Sequence, residues 1–182
     1  MSDQTARPLT VVTLCTGNAA RSVMAGVMLA QLAEGEGVPM TIVTAGTHVV
    51  EGQPMGMRTK NAITSLEVLD VSGLGRHRSH QLSDRDCVDA DMIIAMEADH
   101  VRYVRRIHPD AAAKTATIWH LAGQLSPDGP PVASQIEALS LGEVDLASTR
   151  DVLDPAGHDQ AEYDRCAAEI WVLSQRLFGA LH

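Results

Sequence analysis

The stretch CTGNAARS, residues 15–22, places a cysteine six positions before an arginine, with a glycine, an asparagine and a serine between or beside them. Cysteine is a strong nucleophile only as the thiolate, and an adjacent arginine or helix start favours that form. Arg21 offers a planar fork of donors that matches two oxygens of a phosphate. Gly17 allows a tight curl that turns backbone N–H groups inward, and Asn18 tolerates left-handed backbone angles. Ser22 can donate a hydrogen bond to the sulfur. Together Cys15, Thr16, Gly17, Asn18, Ala19, Ala20, Arg21 and Ser22 form a candidate oxyanion cradle around a nucleophile, suited to attack on phosphorus. The Cys-to-Arg spacing is weak by itself, and the other two cysteines, Cys87 and Cys166, have Ile93 and Val172 at that offset. The alternative for Cys15 is a small buried structural residue.

Such a loop needs a strand to deliver the cysteine and a helix to supply unpaired N–H groups. LTVVTLC (9–15) is rich in β-branched residues and reads as a buried strand. Met24, Val27, Met28 and Leu32 then share one helical face, and GEG ends that helix. MTIVTAG (40–46), ADMIIAM (90–96) and, more weakly, TATIWHL (115–121) read as further strands. Helices are expected from about Pro54 to Leu69, through HVRYVRRI, from the SPDGPP turn to about Ala147, and over Ile170, Leu173, Leu177 and Leu181. LDPAGHD (153–159) reads as a loop, because proline disfavours helix in the residue before it. Alternating strands and helices predict an α/β fold, a single domain over 1–182 with a parallel sheet covered on both faces.

A thiolate that displaces an alcohol from phosphorus needs a proton donor for the leaving oxygen and later a base for water. Asp154 in VLDPAG is the candidate, although aspartate before proline is also an ordinary turn. The formal net charge of −9 argues against a general nucleic-acid binder. Two clusters run against that average, RHRSH (76–80) and VRYVRR (101–106), whose simplest reading is a solvated face. No stretch approaches the roughly 18 uninterrupted apolar residues of a membrane span, and no signal peptide is evident. Three widely spaced cysteines make neither a disulfide framework nor a zinc site, so a cytoplasmic setting is expected. His77 and His80 lie three apart, but nothing else supports a metal.

VVTLCTGNAARSVMAG, followed in order by TAGT (44–47), HRSHQL (77–82), ADMIIAM and LDPAG, resembles the low-molecular-weight protein tyrosine phosphatase family over nearly the whole chain. The extra length falls between about 122 and 150. The resemblance implies a three-layer, flavodoxin-like sandwich around a four-stranded parallel sheet, and a phosphocysteine mechanism without metal or cofactor. It makes Cys15 the nucleophile, Arg21 the phosphate holder and Asp154 the acid and then base. It also makes Asn18, Ser22, Thr44 and His77 supports of the loop. The implied substrate is a phosphorylated protein, phosphotyrosine or similar, or a small phosphoester. No nucleic-acid or membrane partner is implied, and the oligomeric state is left open.

The chain departs from the family where a tyrosine ring would sit. Ala156 follows the acid-loop proline, THVVEG after the second strand has no aromatic residue, and Ala19 stands where a large aliphatic residue is common. Val23 and Gly26 replace a proline and a glutamate, and Ala20 replaces a frequent second cysteine. Three rival readings therefore stay open: an arsenate reductase using an external thiol, a phosphoarginine phosphatase, and a non-catalytic phosphate-binding module.

Overall fold

The computed structural model describes residues 7–181; the two ends of the single domain expected over 1–182 lie outside the described residues. Four strands, β1 (Leu9–Cys15), β2 (Met40–Gly46), β3 (Met92–Ala95) and β4 (Thr115–Thr117), form one sheet in the order β2-β1-β3-β4. Every pairing is parallel. β1 is central, so Cys15 leaves the sheet at its carboxyl edge between β2 and β3.

Alternation along β1 divides the core. Val11 and Cys15 face one cluster with α1 (Arg21–Glu36), α2 (Met57–Ser65), α5 (Ile118–Gln124) and α7 (Gln160–Phe178). Val12 and Leu14 face a smaller cluster with α3 (Asp84–Asp89) and α4 (Ala98–Ile107). The result is a three-layer α/β sandwich. On α1, Met24 and Met28 are fully buried, while Val27 and Leu32 pack at the margin. The helix ends at Gly37, which takes a left-handed φ of 66° and donates to the last carbonyls.

Several elements differ from the sequence expectation, each for a local reason. α2 starts three residues after Pro54 and stops before Glu67, whose φ of 55° cannot continue a helix. The fourth strand is only Thr115–Thr117, because the Thr117 side chain accepts from the His120 N–H and caps α5 directly. The expected helix to Ala147 is α6 (Val132–Ala138) followed by two short 3-10 turns, broken at Ser140 by a φ of 47°. α3 was not expected. It begins at a capping box in which Ser83 and Asp86 satisfy each other's backbone N–H groups.

Candidate active site

The loop from Cys15 to Ser22 is held from inside by Asn18, which is fully buried and takes a φ of 50°. Its amide Nδ2 donates to Ser22 Oγ at 3.0 Å, and Ser22 Oγ lies 3.0 Å from Cys15 Sγ. Ser22 accepts from Asn18, so its own hydroxyl proton is available to the sulfur. From outside, Asn18 Oδ1 accepts from the His80 N–H at 2.9 Å, and the Asn18 carbonyl accepts from His77 Nε2 and Ser79 Oγ. Thr59 on α2 donates to the Ala19 carbonyl at 2.9 Å. The residues after β2 close the rim, with Thr47 N–H donating to the Cys15 carbonyl and His48 N–H to that of Thr16.

With the loop's carbonyls tied outward, its N–H groups from Thr16 to Ser22 donate to no protein acceptor among the described residues. They open onto the start of α1, where N–H groups are unpaired by construction. That is the arrangement of an anion site.

Arg21 is the first residue of α1 and only 1% exposed. Its Nη1 donates to Glu97 Oε2 at 2.9 Å and to the Val152 carbonyl at 3.0 Å. Its Nη2 donates to Asp154 Oδ2 at 2.8 Å and reaches Thr16 Oγ1 at 3.4 Å. Burial opposes the guanidinium charge, but the bond and charge of Glu97 and the charge of Asp154 outweigh it and raise its pKa. Asp154 is 44% exposed, and its Oδ1 accepts from the Ala156 N–H across Pro155. The loop that carries Asp154 is docked by Val152 N–H on the Met96 carbonyl and by Asp151 capping the Ala98 N–H.

His100 completes the bracket. The Glu97 N–H donates to His100 Nδ1 at 3.2 Å, which leaves the proton on Nε2, 3.0 Å from Thr16 Oγ1. Burial first, and the Arg21 charge second, push its pKa down to about 3, so the ring is neutral at physiological pH. His77 is also lowered, chiefly by burial against the opposing bond to Asn18.

The structure thus brings Cys15, Thr16, Arg21, Ser22 and Asp154 to one crevice, with Asn18 holding the loop from inside and His77 bonding its carbonyl from outside. Two sequence expectations are corrected. Thr44 makes no hydrogen bond to the loop among the described residues. A Cβ on Gly26 would lie 2.4 Å from Thr44 Cγ2, so the threonine methyl packs flush against α1. Gly17 takes no positive φ and has open space for a side chain. The demanding glycine is Gly46, where a Cβ would fall 2.5 Å from the Thr16 carbonyl oxygen and 2.9 Å from the Asn18 nitrogen. His80 Nε2 meets Asp86 at 2.8 Å, whereas His77 Nε2 is turned to the Asn18 carbonyl.

The sequence reading missed Glu97, His100, Thr59 and Gly46. Glu97 and His100 follow β3 at the carboxyl edge of the sheet, which is where open α/β folds place ligand crevices. That position was the available signal.

A parallel α/β sheet that presents a cysteine and a buried arginine on a loop of inward N–H groups defines a phosphate-handling thiol site. Residues 10–128 match the family model described as low molecular weight phosphotyrosine protein phosphatase. The chain belongs to that family, whose class is cysteine-dependent phosphatase. It is 28% identical over 114 residues to the probable low molecular weight protein-tyrosine-phosphatase EpsP of Ralstonia nicotianae, covering 62% of this chain and 70% of the relative. It is also 28% identical over 149 residues to the protein-arginine-phosphatase of Geobacillus stearothermophilus, covering 80% and 94%. Among solved structures, a low molecular weight protein tyrosine phosphatase from T. tengcongensis superposes with a TM-score of 0.74 at 25% identity, covering 93% and 97%. The family match ends before Asp154, whereas that superposition spans almost all of both chains.

Proposed function

We propose that this protein hydrolyses phosphomonoesters on protein side chains through a phosphocysteine at Cys15. The observation that carries the reading is the pair of contacts at one crevice: Ser22 Oγ on Cys15 Sγ at 3.0 Å, and Arg21 Nη2 on Asp154 at 2.8 Å. In the first step the Cys15 thiolate attacks phosphorus, the loop N–H groups and Arg21 hold the phosphoryl oxygens, and protonated Asp154 gives its proton to the leaving oxygen. In the second step Asp154 takes a proton from water, which attacks phosphorus, and the thiolate leaves with a hydrogen bond from Ser22. Substrate phosphate and Asp154 compete for Arg21 Nη2, while Glu97 and the Val152 carbonyl keep Nη1. Electrostatic holding of the transferring group is the main catalytic contribution expected of such a site.

The side-chain class has two readings. Phosphotyrosine, a phosphomonoester, is favoured by the family, and the alternative phosphoarginine, a phosphoramidate in which Asp154 would protonate a leaving nitrogen, by the missing ring walls, since Ala19 is exposed and Ala156 follows Pro155. The geometry of the other thiols argues against an arsenate reductase with an internal thiol relay, whereas a reductase using an external thiol needs neither of them. Cys87 and Cys166 lie in the separate cores on opposite faces of the sheet. Burial pushes them up to about 11 and about 12 respectively, so neither is poised to relay electrons. Three free, buried cysteines fit a cytoplasmic location. Among the described residues no helix is long and apolar enough to cross a membrane.

Release of phosphate from p-nitrophenyl phosphate by the wild type and by Cys15→Ser tests the chemistry. The wild type is expected to turn over and the variant to fall to background. Asp154→Asn should lose about 10²- to 10⁴-fold, as expected for a removed general acid. A wild type that is inactive across mildly acidic pH overturns the proposal. Phosphotyrosine and phosphoarginine peptides compared side by side then separate the two substrate readings.

A further inference from the structure

The arginine cluster of α4 has no part in the chemistry above, yet it borders the catalytic loop. Two cavities adjoin there and share Arg102 and Arg106. One, of about 350 Å³, opens beside Thr16 between Thr47, Glu97 and Tyr103. The other, of about 520 Å³, continues along the helix to the turn at Val144–Ala147. The groove therefore runs outward from the phosphate loop with basic side chains along it.

Its charges are poorly neutralised. Arg105 donates to the Leu141 and Val144 carbonyls, which accept hydrogen bonds without cancelling its charge, and its Nε is buried without a partner among the described residues. Among the described residues Arg102 meets only Asp99, an exposed carboxylate, in a pair worth little in water. Arg106 is exposed and makes no ion pair among the described residues. Of the other two acids at the groove, Glu97 is already committed to Arg21, and Asp145, which pairs with no arginine among the described residues, caps the Ala147 N–H. On a chain of net charge −9, this is a local positive field next to the catalytic mouth.

Resting on the phosphatase reading, we infer that this groove binds acidic residues flanking the phosphorylated residue of a peptide substrate. The spacing sets which residues. At about 1.5 Å of rise per helical residue, Arg102 and Arg106 lie roughly 7 and 13 Å along the axis from Glu97. An extended peptide advances about 3.3 Å per residue, so carboxylates about two to four positions from the phosphorylated residue reach these arginines.

The test uses paired phosphopeptides, identical except for Glu or Gln at positions two to four on either side, with p-nitrophenyl phosphate as the flankless control. The acidic peptide should be hydrolysed with a kcat/KM about three- to tenfold higher at low salt, expressed in KM and shrinking as ionic strength rises. Arg102→Gln together with Arg106→Gln should erase that ratio and leave p-nitrophenyl phosphate turnover unchanged. Equal rates for the two peptides, or a ratio that survives the double variant, overturns the inference while leaving the phosphatase reading intact. If no substrate is turned over, the phosphatase reading fails, and the same peptides are compared by binding anisotropy. Equal affinity for the acidic and neutral members then sinks the groove as well. Equal inhibition by a single-stranded oligonucleotide and by an unphosphorylated acidic peptide overturns the peptide assignment in favour of a general polyanion surface.

Discussion

The Cys15–Ser22 loop and the bracket around Arg21 hold the proposed anion site by opposite means. The loop is contiguous, and its shape comes from Asn18 and Ser22 inside it, with carbonyls tied outward by His77, Ser79 and Thr59. The bracket is assembled from distant pieces, with Glu97 and His100 from the start of α4 and Val152 and Asp154 from a loop near the end of the chain. The difference teaches that the loop creates a place for the anion, whereas the bracket sets the direction of the one side chain that must meet it. The loop's bonds are mostly neutral and local. The bracket's bonds involve formal charges in a buried place, where geometry counts for more.

The strongest way to break the loop side is Gly46→Ala. The added methyl meets the Val49 side chain and also backbone atoms of Thr16 and Asn18, which no rotamer change can relieve, so the loop itself must shift. The expected result is a loss of about 1–3 kcal/mol of stability, read by denaturant melt. Misplacement of the loop by about an ångström should also lower kcat/KM roughly 10²-fold. Unchanged activity would mean that the close approach at Gly46 does not set the loop.

On the bracket side, Glu97→Gln keeps an acceptor for Arg21 Nη1 but removes its charge. Turnover of p-nitrophenyl phosphate should fall about three- to thirtyfold, within the range for a weakened charged hydrogen bond. Glu97→Asp should recover part of the loss if charge matters more than reach. A melt of each variant separates lost alignment from lost folding, and equal rates in all three proteins would remove Glu97 from the site.

A further effect, read on stability and not on turnover, is a pH dependence from His100. Its folded pKa is held at about 3, whereas an unfolded histidine titrates near 6.5. Its neutral-state contribution is therefore complete above about pH 6.5. As pH falls below that value the unfolded chain takes a proton that the folded chain refuses, so stability drops, and the drop ends near pH 3. The slope from this group reaches at most about 1.4 kcal/mol per pH unit. His100→Asn should flatten the dependence between pH 6 and 4, and an unaltered slope would mean that another group carries it.

Much of the loop was legible because its parts are consecutive. A β-branched run, a cysteine, a left-handed-tolerant asparagine and a helix with a periodic apolar face all lie between residues 9 and 32. Helix and strand limits were less legible where one capping residue or one positive φ decides, as at Thr117 and Ser140. Gly46 and Gly26 could not be assigned their roles, because only packing shows what a Cβ would strike.

By itself, the sequence determined the class of chemistry and the order of layers, since a nucleophile, an arginine and the strand that delivers them are neighbours along the chain. Only the tertiary structure decided what Arg21 faces. Glu97 and Asp154 lie 76 and 133 positions from it, and no local pattern can express which carboxylates a parallel sheet will gather at its carboxyl edge. Parallel pairing requires long crossovers, so the groups that share an edge are separated by whole helices.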